Sequence, residues 1–152
     1  MTDNSQVQQI RDRVDQVLLG RHDELYEKVR RCVAEALAID PAKVTPSASL
    51  IDDLGAESID FLDLVFRLEA EYHVKIPRDG IRVVAQEGLA DGFERDGVLT
   101  PEALERLRIL MPEVAAARIS PGLRPHQIAG LFTAETFVRL VAWRLADTAT
   151  AG

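Results

Sequence analysis

The chain has 152 residues, of which 47% are hydrophobic and 28% are charged, as is ordinary for one globular domain. Asp and Glu number 25 against 18 Lys and Arg, so the net charge of −7 disfavours nucleic acid and favours basic surfaces on other proteins. The single cysteine, Cys32, excludes an internal disulfide and a CxxC metal site. No apolar run has the length of a signal peptide or a membrane span, and we therefore expect a cytoplasmic protein.

An N-terminal helical extension is predicted over residues 1–22. Apolar residues recur at helical spacing within residues 5–19, with Ser5 as the expected cap and Gly20 as the expected end of the helix. Because this apolar stripe is narrow, the helix needs another surface to pack on. It either frays or packs against the rest of the protein.

A second helix with a broader apolar face is predicted over residues 23–38. It ends before Asp40-Pro41, since a residue that precedes proline is disfavoured in the helical region. Cys32 lies on the apolar face, which indicates a small core residue. The long loop that follows carries enough apolar residues to be ordered, and we expect four of them to be buried: Val44, Leu50, Ile51 and Leu54.

The third predicted helix, residues 58–72, has two adjacent apolar stripes. The first contains Phe61, Val65, Leu68 and Tyr72, and the second contains Ile59, Leu62 and Phe66. A short helix in a small domain needs only one stripe for its core. The second stripe is therefore either buried as well or free to meet a partner or a ligand.

Residues 78–125 contain too much apolar surface for a solvated loop, which predicts an ordered, partly helical segment. Asp91-Gly92 and Asp96-Gly97 are turn signals. Thr100 followed by Pro101 predicts the start of a helix that runs to about Leu110. We find no convincing strand pattern and no internal repeat.

The last predicted helix covers residues 134–147, with Thr133 as its cap and a fraying tail after it. Its apolar residues at helical spacing are Phe137, Leu140, Val141 and Leu145, with Phe132 just before the cap. With helices predicted throughout and no strands, the expected fold class is all-α.

The segment from Val44 to Pro77 resembles the acyl carrier protein family. An Asp-Asp-Leu-Gly turn at residues 52–55 precedes a serine triplet, and an acidic helix then leads to an aromatic residue and Ile-Pro. The triplet is Glu57-Ser58-Ile59, a conservative departure from the family's usual Asp-Ser-Leu. The resemblance covers residues 24–77 well and the final helix moderately, and it implies an antiparallel acyl-carrier-type helix bundle.

The resemblance implies that Ser58 carries a covalent 4′-phosphopantetheine arm, which a phosphopantetheinyl transferase moves from coenzyme A onto the hydroxyl. Acyl groups are then held as thioesters on the arm, and the chain presents them to partner enzymes without being a catalyst. The start of a helix suits the anionic phosphodiester. The implied role is a carrier in fatty acid or specialised lipid biosynthesis, for example lipopolysaccharide acylation. The alternatives are a polyketide or nonribosomal peptide carrier and an unmodified interaction module.

The net negative charge of the residues around Ser58 is nearly equal to that of the whole chain. Residues 50–72 contain seven acidic residues and one basic residue, Arg67, and their net charge of −6 compares with −7 for the whole chain. This concentration predicts a docking surface for acyl-transferring or acyl-elongating enzymes with basic patches. The predicted recognition residues are Glu57, Ile59, Asp60, Leu62, Asp63, Phe66, Glu69 and Glu71.

Relative to the family, residues 78–125 are an insertion in a carrier domain that spans residues 23–148. The interpretations are an extra packing layer, or a segment that reshapes the acyl pocket or creates a partner surface.

We expect a monomer. A hydrolase is disfavoured, because no glycine stands two places after Ser58 and the three histidines are scattered. A calcium loop at residues 91–100 is disfavoured because the ligand pattern is incomplete.

Overall fold

The computed structural model describes residues 4–76 and 80–151. Within these ranges the secondary structure is mostly helical, and the predicted all-α class is confirmed. The α-helices are α1 (Ser5–Leu37), α2 (Ser58–Tyr72), α3 (Gly80–Gln86), α4 (Pro101–Leu110) and α5 (Ala134–Ala151), and one hairpin joins β1 (Glu94–Arg95) to β2 (Val98–Leu99). Short 3-10 helices cover Pro41–Lys43, Ala90–Gly92, Ala116–Arg118 and Pro125–Leu131. Pro77, the predicted end of the carrier motif, lies outside the described residues.

The two helices predicted before residue 40 are one continuous helix, and the prediction that Gly20 ends the first was wrong. Glycine in a helix interior costs only about 1 kcal/mol relative to alanine, and the apolar stripe continues on both sides of it. Ser5 is the first helical residue and not the cap, since Asn4 precedes the helix. The helix ends after Leu37, where Ala38 adopts the left-handed conformation with φ 57°.

The N-terminal part of α1 packs against the rest of the protein, which decides between the two alternatives left by its narrow stripe. Its inward residues are buried, namely Val7, Ile10 and Val14. Polar contacts also fasten it: Arg106 Nε of α4 donates to Asn4 Oδ1 at 3.2 Å, and Arg139 Nη2 of α5 lies 2.9 Å from Asp15 Oδ1. The extension therefore covers both the inserted region and the last helix.

The described part of the inserted region, residues 80–125, is ordered and contains a hairpin that the sequence pattern did not predict. Asp96 and Gly97 form its two-residue turn with φ values of 57° and 83°, as a type I′ turn requires. Strands of two residues are too short to show an alternating pattern. The predicted start of α4 is confirmed, because Thr100 Oγ1 accepts a hydrogen bond from the Ala103 N–H at 3.2 Å.

The start of α5 fixes the loop that leads to α2. As predicted, Thr133 caps the helix, with its Oγ1 accepting from the Thr136 N–H at 3.2 Å. Just before this cap, the Phe132 carbonyl accepts from the Leu50 N–H at 3.1 Å, and Ser49 forms an isolated β-bridge with Thr133. The helix continues to Ala151, so its described part does not end at residue 147 as predicted.

Among the helices of the described ranges, none combines the length and the apolar character that crossing a membrane demands.

Candidate functional site

Ser58 is the first residue of α2, and its side chain is exposed. In the described ranges its hydroxyl makes no hydrogen bond with another residue. The helix begins here because the Glu57 N–H donates to Asp60 Oδ2 at 2.8 Å, which satisfies a backbone donor at the helix start. The remaining N–H groups of the first turn and the helix dipole favour an anion beside Ser58. This setting suits a phosphate ester on the hydroxyl.

The loop before Ser58 is held by its own polar groups. The Ser49 N–H donates to Asp53 Oδ2 at 2.8 Å, and the Asp52 N–H donates to Ser49 Oγ at 3.2 Å. Gly55 supplies the left-handed turn, with φ 74°. Leu50 is fully buried, but Ile51 is 38% exposed, so the prediction that Ile51 belongs to the core was wrong.

A cavity of about 200 Å³ opens beside Ser58. Apart from Ser58, the residues that line it are apolar and come from five parts of the chain: Ile51, Phe61, Leu62, Val65, Ile76, Ala129, Phe132, Phe137 and Leu140. Three of the rings pack together, with centroid distances of 6.3 Å for Phe61–Phe132, 6.0 Å for Phe61–Phe137 and 5.8 Å for Phe132–Phe137. This arrangement can shield a flexible apolar group attached at Ser58 from water.

Sequence reasoning did not place three residues of this lining, which lie outside the α-helices, beside Ser58. Ile76, Ala129 and Phe132 belong to loops or 3-10 turns that have no amphipathic period. The weak signal available was the aromatic residue directly before the Thr133 cap, since an apolar residue there often packs against the helix that follows.

The two apolar stripes of α2 have different surroundings. Val65 and Leu68 of the first stripe are buried, and Phe61 and Tyr72 are half-buried. The second stripe is divided: Ile59 is 71% exposed and Phe66 is 58% exposed, whereas Leu62 is half-buried and lines the cavity. The helix therefore presents two large apolar side chains to solvent. Ile59 directly follows Ser58, and Phe66 lies about two turns farther along the helix.

The acidic residues predicted to form one recognition surface lie in two groups. Glu57, Asp60 and Asp63 are within the first two turns from Ser58, and Asp63 Oδ2 lies 3.1 Å from Arg67 Nε. Glu69 and Glu71 are at the other end of the helix, about 16–20 Å from Ser58 along its axis.

The second group is engaged in contacts that hold the fold. Glu69 Oε2 accepts from the Ile76 N–H at 2.7 Å, and Glu71 Oε1 lies 3.4 Å from Lys28 Nζ. Arg67 Nη1 also lies 3.1 Å from Glu35 Oε2. Internal partners thus offset part of the negative charge that the sequence places on this helix.

Other reactive side chains lie away from Ser58. His22 Nε2 lies 2.7 Å from Glu135 Oε2, at the contact between α1 and α5, and none of the three histidines lines the cavity. Cys32 is buried, as predicted, and burial raises the pKa of its thiol. In the part of the chain that the structure describes, no three His, Cys, Asp or Glu side chains form a metal-binding group.

Comparison with known proteins connects this geometry to a family. Residues 27–81, about a third of the chain, match the family model described as the phosphopantetheine attachment site. No solved structure matches the chain significantly. Members of the family bind 4′-phosphopantetheine covalently on a serine, and carrier proteins interact with a phosphopantetheinyl transferase and acyl-handling enzymes. Residues 27–81 thus carry the pattern of a phosphopantetheine attachment site, which is consistent with a carrier protein of the acyl-carrier type.

Proposed function

We propose that Ser58 carries the 4′-phosphopantetheine arm and that the chain holds acyl intermediates on it as thioesters. The matched segment contains three serines. Ser49 is buried and hydrogen-bonded within the loop, and Ser47 is exposed but does not line the cavity. Only Ser58 combines an exposed hydroxyl, a helix start and an adjacent apolar cavity. That combination is the observation that carries the proposal.

The cavity supports an aliphatic acyl group as the cargo. Its side chains beyond Ser58 offer carbon atoms and few hydrogen-bond partners, so polar intermediates gain little by entering it. An alkyl chain is stabilised by about 0.8 kcal/mol for each buried CH₂ group. This favours fatty acid or specialised lipid biosynthesis, such as lipopolysaccharide acylation, over polyketide or peptide assembly.

The start of α2 supports docking of partner enzymes. Exposed Ile59 and Phe66 supply apolar contact, and the carboxylates nearest to Ser58, on Glu57, Asp60 and Asp63, supply negative charge. Basic patches on the transferase and on acyl-transferring or acyl-elongating enzymes complement this surface. Leu62, Glu69 and Glu71 complete the proposed set of residues that partner enzymes recognise. The partner enzymes perform the chemistry. The buried free thiol of Cys32 suits a reducing compartment such as the cytoplasm.

Intact mass measurement after incubation with coenzyme A, magnesium and a phosphopantetheinyl transferase tests this function. We expect the native chain and the matched control Ser47→Ala to gain one phosphopantetheine, and Ser58→Ala to gain none. An increment on Ser58→Ala refutes the assignment of the site. No increment on the native chain favours an unmodified interaction module.

A further inference from the structure

The mouth of the cavity lies between two segments. Among the lining residues, Ile51, Ser58 and Ala129 are exposed and therefore mark the opening. Ile51 and Ser58 belong to the segment that leads into α2, and Ala129 belongs to the 3-10 helix Pro125–Leu131. A group attached at Ser58 must pass between these two sides to enter the cavity.

The two sides are joined at their inner end by contacts next to the core. The Leu50 N–H donates to the Phe132 carbonyl at 3.1 Å, and Ser49 Oγ donates to the Gly130 carbonyl at 3.3 Å. Ser49 and Leu50 are buried, so this end of the mouth is anchored. The outer end, at Ile51 and Ala129, is more open to solvent.

Arg118 of the inserted region joins the two sides at that outer end. Its Nη2 atom lies 3.1 Å from Asp52 Oδ2 and donates to the Gly130 carbonyl, also at 3.1 Å. Asp52 directly follows Ile51, and Gly130 directly follows Ala129. The Arg118 guanidinium group thus contacts Asp52 on one side of the mouth and Gly130 on the other.

The strength of this contact is suited to reversible opening. The side chains of Arg118 and Asp52 are 38% and 64% exposed, and ion pairs in such settings are weak. The bond to the Gly130 carbonyl adds a charge-assisted interaction on the opposite side. Because Ser49 Oγ also donates to the Gly130 carbonyl, breaking both Arg118 bonds releases the exposed Asp52 side of the mouth, while the inner contacts of Ser49 and Leu50 keep the loop in place.

We propose that Arg118 is a positioning residue that keeps the two sides of the mouth joined, which we call the closed arrangement, around an acyl chain tethered to Ser58. The inserted region thereby controls how long the acyl group stays shielded from water and from partner enzymes. The inference rests on the proposed function, because it requires the arm on Ser58 and the acyl group in the cavity. Its particular consequence is a dependence on chain length, since only a chain that reaches into the cavity is held by a closed mouth.

The test compares acetyl and decanoyl thioesters loaded from the corresponding coenzyme A derivatives by a phosphopantetheinyl transferase. Loss of the acyl group to hydroxylamine is followed by intact mass. In the native protein we expect decanoyl loss to be slower than acetyl loss. Arg118→Gln should accelerate decanoyl loss by about threefold to tenfold and leave acetyl loss unchanged, because only the longer chain depends on the closed mouth.

Two further variants show whether Arg118 acts through its contact with the loop. Asp52→Asn removes the partner carboxylate and should accelerate decanoyl loss as Arg118→Gln does. The double variant should lose the decanoyl group no faster than the faster single variant. Arg95→Gln, which changes another exposed arginine of the inserted region, in β1, is the matched control and should leave both rates unchanged. Thermal unfolding of each variant verifies that it is folded.

The outcomes separate this inference from the proposed function. Failure of the native protein to accept any arm on Ser58 defeats the proposed function. Loading with equal loss of acetyl and decanoyl groups leaves the attachment site intact but overturns the inference, because the cavity then shields nothing. Unchanged decanoyl loss in Arg118→Gln, or equal acceleration of both acyl groups, also overturns it.

Discussion

His22 of α1 and Glu135 in the first turn of α5 form a close pair, with 2.7 Å between Nε2 and Oε2. The His22 ring also stacks on Tyr26 at a centroid distance of 6.1 Å. Burial of the ring opposes protonation, but the hydrogen bond and negative charge of Glu135 outweigh it and raise the pKa of His22 above its ordinary value. This contact joins the long first helix to the helix that closes the bundle.

A pH dependence of stability follows from this pair. Since the folded state raises the pKa of His22, the stabilisation is fully present below about pH 6.5 and is lost as the pH rises through the raised pKa. The pair is partly exposed, so we expect less than about 1 kcal/mol. Urea unfolding of the native protein and His22→Gln between pH 5.5 and 8.5 measures the difference. A difference that grows with pH would contradict the assignment.

The packed position of the N-terminal extension predicts that core substitutions there destabilise the whole domain. Ile10 is 8% exposed, and Ile10→Ala should lower the free energy of unfolding by about 2 kcal/mol, through lost burial and an unfilled cavity. Leu19, at 79% exposed, is the matched control, and Leu19→Ala should change stability by less than about 0.5 kcal/mol. Equal effects of the two substitutions in urea unfolding would indicate that the extension does not pack.

The aromatic cluster at the cavity should contribute strongly to stability. Phe137 is 1% exposed and contacts the rings of Phe61 and Phe132, so Phe137→Ala should cost about 3–5 kcal/mol. Phe137→Leu keeps most of the apolar volume and should cost much less. Denaturant unfolding of both variants provides the comparison. A cost below 1 kcal/mol for Phe137→Ala would show that the cluster is loosely packed.

The exposed apolar residues of α2 should affect partners without affecting stability. Phe66→Ala should change the free energy of unfolding by less than about 0.5 kcal/mol and raise the KM of a partner enzyme for the carrier severalfold. Val83→Ala, which alters an exposed apolar residue on α3, is the matched control and should leave this KM unchanged. Raising the ionic strength should weaken docking of the native chain as well, because its acidic groups are solvated. An unchanged KM for Phe66→Ala would remove this face from the docking surface.

Local features were predictable because they depend on residues within one or two turns. The start of α2 at Ser58, the caps at Thr100 and Thr133 and the burial of Cys32 follow from side-chain chemistry at short spacing, and the structure confirms each of them. The wrong prediction that Gly20 ends a helix has a tertiary cause. Gly20 would end the helix if the residues after it had no surface to pack against. The apolar stripe of α1 packs against α4 and α5, so the helix continues through Gly20.

The amino-acid sequence by itself determined the class of fold, the serine at a helix start and the concentration of acid around it, since composition and short-range spacing encode these. Only the tertiary structure decided which apolar stripe of α2 faces solvent and that Ala129 and Phe132 complete the cavity beside Ser58. It alone brought Arg118 to Asp52, 66 positions earlier in the chain. Burial and long-range contacts depend on which surfaces pack against each other in the folded protein. No local pattern along the chain specifies which surfaces these are.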